Sequence, residues 1–205
     1  NRGRPRKTGF VSLEGSYHGE TLGALSVTDV PLFRDVYAPL LKRNATVPTP
    51  DARAAGAGEA PAQVAERAAL ALETYLAAHH EEIAALIVEP LVQGASGMVM
   101  YDPHYLVRAR ELTARYDVLL IADEIMTGFG RTGTLFACEQ AGIAPDLLCL
   151  SKGITGGYLP LSCVLATHEI FAAVYADVLA RGFLHSHSYT RNALACRAPL
   201  AAPGR

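Results

Sequence analysis

Val118-Leu-Leu-Ile-Ala-Asp-Glu and Asp146-Leu-Leu-Cys-Leu-Ser-Lys-Gly-Ile-Thr-Gly-Gly are the two stretches that decide the fold of this chain. Each is a short apolar run closed by a charged group, Asp123 in the first and Lys152, 29 residues later, in the second. An unbroken apolar run without alternation is the pattern of a strand buried on both faces. Working outward, Gly9-Phe-Val-Ser-Leu-Glu reads as a strand that feeds the loop Gly15-Ser-Tyr-His-Gly and a short helix near Thr21 to Val27. Ala62 to Glu82 carries helical spacing, and Ile83 to Val88 is a further buried strand, closed by Glu89-Pro90. Asp102-Pro103 opens a helix running to Tyr116, with Asp as N-cap and Pro at the first position. Leu135 to Gly142 reads as a short helix and Leu161 to Ala166 as another strand, while Val47 to Pro61, rich in Pro, Ala and Gly, is a surface loop. Strands alternating with helices predict an α/β fold, a mainly parallel sheet with helices on both faces.

Composition narrows the function classes. With 205 residues, 50% hydrophobic and 19% charged, the chain can bury one good core. Eighteen basic against 20 acidic residues give no global field that would favour nucleic acid or an anionic membrane. The opening cluster Arg2, Arg4, Arg6 and Lys7 reads as a solvated helix end or loop. No apolar stretch approaches the roughly 20 residues of a membrane span, and no signal sequence opens the chain, so a cytoplasmic protein is expected. Cys138, Cys149, Cys163 and Cys196 form no C-x-x-C pair and read as reduced core residues. No metal is expected: His79 and His80 are adjacent rather than four apart, and no H-E-x-x-H is present. His185 and His187 alternate as on one face of a strand, where they would form a polar pocket wall.

A lysine and an aspartate at the carboxyl ends of two buried strands can converge on a small cofactor outside the sheet edge. Pyridoxal 5'-phosphate (PLP) needs such a pair, an amine for its aldehyde and a carboxylate that keeps its ring nitrogen protonated. The competing reading makes Lys152 a surface lysine and Asp123 a helix cap. Gly153, Gly156 and Gly157 let the backbone turn tightly after Lys152. Gly128, Gly130 and Gly133, in Thr127-Gly-Phe-Gly-Arg-Thr-Gly, lack the spacing of a dinucleotide or nucleotide loop.

The run Ile121-Ala-Asp-Glu-Ile-Met-Thr-Gly-Phe-Gly-Arg-Thr-Gly, followed by Ala144-Pro-Asp-Leu-Leu-Cys-Leu-Ser-Lys-Gly-Ile-Thr-Gly-Gly, resembles the signature of the class III (omega) PLP-dependent aminotransferases of fold type I. The resemblance extends from about Gly9 to Cys196. Three stretches, Glu14 to Val30, Phe129 to Glu139 and His185 to Cys196, are most similar to the branch that aminates 8-amino-7-oxononanoate in biotin synthesis with S-adenosylmethionine as donor. Other class III activities on omega-amino acids with pyruvate, or on diamines, are the alternative within the family. An inactive truncated piece or a non-catalytic interaction module is the alternative outside it.

Carried over onto matching positions, the resemblance implies that Lys152 forms the Schiff base with the cofactor and later moves the substrate proton. It implies that Asp123 pairs with the ring nitrogen and that Tyr17 stacks on the ring with its hydroxyl toward the substrate. His18 and Gly19 complete that cofactor-binding motif, and Glu20 and Gly153 fall on the substrate side. Ser188 matches the hydroxyl residue that binds the phosphate of a neighbouring subunit's cofactor, which implies a homodimer with a shared active site. Glu89 matches a substrate-side glutamate in several members, and capping of the following loop is its equal alternative. Three positions depart from family patterns: Glu20 where some members of that branch carry Asp, Met126 where the ornithine-type enzymes carry Gln, and Arg191 where Gly is usual before Asn192. Residues 1–205 are expected to be a fragment, the central part of the large PLP-binding domain without its upstream and downstream parts or the small domain, and on their own to lack a complete site.

Overall fold

Residues 1–202 are described by the computed structural model. Five apolar runs form strands that begin and end within a residue or two of their expected limits, β1 Gly9–Leu13, β3 Ile83–Val88, β6 Leu119–Asp123, β7 Leu147–Leu150 and β8 Cys163–Ala166, and three short strands were not expected: β2 Ala45–Val47 and the paired β4 Val92–Gln93 and β5 Val99–Met100. The helices are α1 Leu22–Leu25, α2 Pro31–Arg34, α3 Pro61–His79, α4 His104–Arg115, α5 His168–Val174 and α6 Ala193–Arg197. Six strands make the main sheet in the order β2-β1-β3-β6-β7-β8, parallel except for β8, which runs antiparallel to β7. The chain steps one way from β1 to β2 and then back past β1 to β3, so the direction of winding reverses between β1 and β3. In open α/β sheets that reversal opens a crevice at the carboxyl ends of the strands.

Helix α3 buries Val64, Ala65, Ala68, Ala69, Leu72 and Leu76 along one stripe, and α4 buries Tyr105, Leu106, Ala109 and Leu112. Both stripes meet Val11, Leu13, Leu86, Val88 and Leu120 of the sheet in a single core. The opposite face is covered unevenly. The α1–α2 segment lies over its β1–β2 end, where Leu25, Val27 and Thr28 face Ser12 and Thr46 across a shallow cleft. Phe10, Leu119, Ile121, Leu147 and Cys149, farther along that face, are only half-buried. Helices therefore occupy both faces, but the two long ones share one.

Several local expectations need correction. Helix α4 starts at His104, with Pro103 rather than Asp102 at its N-cap; Asp102, one residue earlier, has its Oδ1 accepting from His104 N at 2.9 Å. The segment holding His185 and His187 is not a strand and both residues are exposed. Its bonds are local, such as Tyr189 N to His187 Nδ1. All four cysteines are free, yet only Cys138 is buried: Cys149 and Cys163 are half-buried and Cys196 is exposed. The stretch read as a bare loop from Val47 begins at the end of β2 and contains a 3-10 turn at Ala52–Ala54. No helix among the described residues is long and apolar enough to cross a membrane. Among the same residues no three His, Cys, Asp or Glu side chains are grouped as a metal site.

The basic opening divides by role. Arg2, Arg4 and Arg6 pair with Glu169, Asp117 and Glu81 at the surface, contacts of small net value in solvent. Lys7 instead reaches inward, its Nζ donating to the carbonyls of His80 at 2.9 Å and Asp117 at 2.6 Å, with Ile83 and Tyr116 at 3.4 Å. His80 and Tyr116 are the C-caps of α3 and α4, so one cation serves two sets of orphan carbonyls at the negative ends of two helices. Replacing Lys7 by Met keeps the stem and removes the charge, and should lower stability by about 1–3 kcal/mol in urea unfolding. An unchanged unfolding midpoint would show that water replaces the ammonium without loss.

Candidate active site

Four parallel strands deliver polar residues to one edge of the sheet. Tyr17, His18 and Gly19 follow β1, Glu89 follows β3, Asp123 ends β6, and Lys152 comes two residues after β7. Together with Val92, Gly94, Ala95, Ile125, Met126 and Thr127 they line one cleft of about 440 Å³. Of the residues singled out in the sequence, Lys152, Asp123, Tyr17, His18 and Gly19 are thus brought together, joined by Glu89 and Met126. Glu20, Gly153 and Ser188 do not line the cleft. Glu20 sits just outside it and accepts a hydrogen bond from Tyr17 Oη at 2.9 Å. Gly153 faces Phe129, and Ser188 is exposed.

The loop carrying Tyr17 and His18 is tied down by the chain that returns from α1. Thr21 caps that four-residue helix. Beyond it Val27 O accepts from Ser16 Oγ at 2.9 Å, Thr28 Oγ1 accepts from His18 N at 3.1 Å, and Asp29 Oδ2 accepts from Gly15 N at 3.0 Å. Tyr17's ring packs on Phe33 with centroids 4.9 Å apart. Its hydroxyl pKa is pushed up by burial and by the neighbouring Glu20 carboxylate, so it stays a proton donor at neutral pH.

Asp123 is 7% exposed and accepts two hydrogen bonds. His18 Nδ1 lies 2.8 Å from its Oδ2, and Ile125 N donates to Oδ1 at 3.1 Å. The His18 ring is 2% exposed, and its Nε2 is buried without a partner among the described residues. A buried carboxylate held from two sides cannot rotate freely, so Asp123 presents a fixed acceptor to the cleft. Lys152 is the opposite case. Its side chain is exposed and forms no hydrogen bond among the described residues, while its backbone lies in the left-handed region at φ +46°. Non-glycine residues held there concentrate at functional sites.

Glu89 has the loop-capping role weighed for it, and it also lines the cleft. Its Oε1 accepts from Tyr17 N and its Oε2 from Gly94 N, both at 3.0 Å, so it staples the loops after β1 and β3 while lining the cleft. Burial pushes its carboxyl pKa up, opposed by those two N–H donors. Sequence reading passed over Glu124 altogether. Its side chain is wholly buried and accepts from Ala137 N at 2.7 Å, Cys138 N at 2.8 Å and Thr127 Oγ1 at 3.1 Å. Its one sequence signal was an acidic residue directly after an apolar strand. Arg191, in place of the usual Gly, adopts φ +63°, which explains why a glycine suits that position.

Glu89 should titrate above the ordinary glutamate range near ~4.3. Because its folded-state pKa is raised, its contribution to stability is present below the unfolded value and falls as pH rises through the folded one. Carboxyl-carbon NMR of the native protein would read the titration directly. A midpoint at or below the ordinary value would show that the two amide donors outweigh burial.

Residues 1–202 match the family model described as aminotransferase class III. Among curated relatives, the adenosylmethionine-8-amino-7-oxononanoate aminotransferase of Helicobacter pylori is 52% identical over 192 residues, 93% of this chain and 42% of the relative. The protein of that name from Geobacter sulfurreducens is 43% identical over 98% of this chain and 45% of its own length. Among solved structures, an amine transaminase from an uncultivated Pseudomonas species, in its PLP-bound form, superposes with a TM-score of 0.91 at 36% identity, covering 98% of this chain and 46% of that one. The adenosylmethionine-8-amino-7-oxononanoate aminotransferase of Methanocaldococcus jannaschii gives 0.87 at 35% identity, over 98% and 44%. The chain therefore spans less than half the length of the relatives it matches. Its α/β fold is the fold type I that the family resemblance implied, and the chain belongs to the class III aminotransferase family.

Proposed function

We propose that this chain is the central part of the large, PLP-binding domain of an aminotransferase that transfers the amino group of S-adenosylmethionine to 8-amino-7-oxononanoate in biotin synthesis. The observation that carries the reading is the convergence of Lys152, Asp123 with His18, and Tyr17 on one cleft at the carboxyl edge of the sheet. The donor set fits pyridoxal phosphate at its ring end: one amine without a hydrogen-bond partner among the described residues, one buried oriented carboxylate and one aromatic ring. Bound there, the cofactor supplies an aldehyde that takes up amines and a ring that withdraws electrons.

The residues divide the remaining work. Lys152 would hold the cofactor's aldehyde end through its Nζ and would take and return the proton at the substrate carbon. Asp123, oriented by His18 and Ile125 N, keeps a proton on the ring nitrogen by charge. Tyr17 offers an aromatic face worth about 0.5–1.5 kcal/mol beyond area burial, which positions rather than anchors. Gly19 lets the backbone pass close by. Glu20 holds the Tyr17 hydroxyl at the substrate side, and Gly153 lies behind Lys152. Ser188, exposed and away from this cleft, suits a role at a partner subunit's phosphate, hence a homodimer with shared sites. A near-balanced charge suits small-molecule substrates rather than nucleic acid or an anionic membrane.

The substrate assignment rests on relatives that carry that name at 52% and 43% identity. An amine transaminase activity is the second reading, favoured by the TM-score of 0.91 to a protein of that description. Donor profiling of the whole enzyme separates them: S-adenosylmethionine accepted and simple amines refused supports the first, the reverse supports the second. Borohydride reduction of the whole enzyme with PLP, followed by peptide mapping, should place the adduct on Lys152 and not on Lys7 or Lys42. Lys152→Ala should lower turnover by three or more orders of magnitude, roughly the scale of losing an essential nucleophile and base. An adduct on another lysine, or none, would contradict the site.

A further inference from the structure

Lys152 makes no side-chain hydrogen bond among the described residues, so its direction is set by its backbone, and that backbone is in an unfavoured conformation at φ +46°. Something next to it must hold that geometry. The neighbour is the loop 124–138. At its root the Glu124 carboxylate accepts from Ala137 N and Cys138 N, joining the two ends of the loop. Glu124 N donates to Cys149 O at 3.0 Å, fastening the same root to β7 three residues before Lys152. Near its start the loop turns back, Gly128 N donating to Glu124 O at 3.0 Å. At its tip Phe129, itself at φ +61°, packs flush on Gly153. A Cβ at Gly153 would lie 2.8 Å from Phe129 Cβ and 3.0 Å from its Cδ2. Phe136 braces the Phe129 ring edge-on at 5.8 Å and 71°.

We propose that this loop is a clasp in which Phe129 and Glu124 are positioning residues: Glu124 closes the loop, and Phe129 presses on Gly153 so that Lys152 keeps its left-handed backbone and its amine stays aimed into the cleft. The proposal rests on the reading of Lys152 as the cofactor's amine partner only for its consequence in catalysis; the bracing itself is a property of the chain. It also explains why the residue after Lys152 is glycine, since any side chain there would displace Phe129.

The test uses Phe129→Ala, with Phe129→Leu as the conservative variant and Glu124→Gln as the root variant, in the whole enzyme. Amide hydrogen exchange is read at Gly153–Thr155 and at Leu120–Ala122, and borohydride trapping of PLP is read at Lys152. Phe129→Ala and Glu124→Gln should speed exchange at Gly153–Thr155 by about tenfold or more while Leu120–Ala122 stay protected, the mark of local rather than global opening. Trapping at Lys152 should fall by a similar factor, and Phe129→Leu should restore most of both. Unchanged exchange and trapping would overturn the proposal, as would an equal acceleration in β6, which would make Phe129 a general stability residue. Faster local exchange in a protein whose native form never traps PLP on Lys152 would support the brace and defeat the cofactor reading.

Discussion

Parallel pairing of β1, β3, β6 and β7 is the constraint on which the site depends. Parallel strands end on the same edge, so residues 17, 89, 123 and 152, far apart in the chain, arrive together, and the bonds of Tyr17 N to Glu89 and of His18 to Asp123 then fix them there. The core that holds the strands in register is the apolar layer beneath α3 and α4. Its helices in turn end on the single ammonium of Lys7. Stability thus lies mostly on one face and at the amino edge of the sheet, leaving the carboxyl edge free to gather polar groups.

Those polar groups are mainly carboxylates, and their surroundings give each a different task. Asp123 is held by a histidine and an amide and opens to the cleft. Glu89 joins two loops through two amides while burial raises its pKa. Glu124 faces entirely inward and closes a loop. At the opposite, amino edge, Asp146 just before β7 accepts from Leu120 N at 2.7 Å and Arg110 Nη1 at 2.8 Å, binding α4 to the sheet. Each buried charge is met by donors, as the cost of an unpaired one demands.

The strands and the cleft's charged groups were legible because both follow from local patterns: an unbroken apolar run, and a charge at its end. Tyr17 and His18 were legible through a motif in the loop after a strand. Strand β2 was missed because three residues, one of them exposed, carry no periodicity, and the sheet edge rather than its own sequence makes it a strand. Lys7 was misread with its arginine neighbours, since only the meeting of two helix ends distinguishes it. Glu124 was overlooked because its partners lie 13 and 14 residues ahead, beyond any local rule. The His185–His187 alternation looked like a strand, but without a neighbouring strand to pair with, two alternating residues specify nothing.

The central claim is that the cleft holds pyridoxal phosphate with its ring nitrogen against Asp123. Nitrogen-15 NMR of the whole enzyme loaded with ring-labelled cofactor tests it most directly. The account predicts a protonated ring nitrogen in the native enzyme at neutral pH and loss of that proton in Asp123→Asn. An unprotonated nitrogen in the native enzyme, or a proton that survives the substitution, would contradict it.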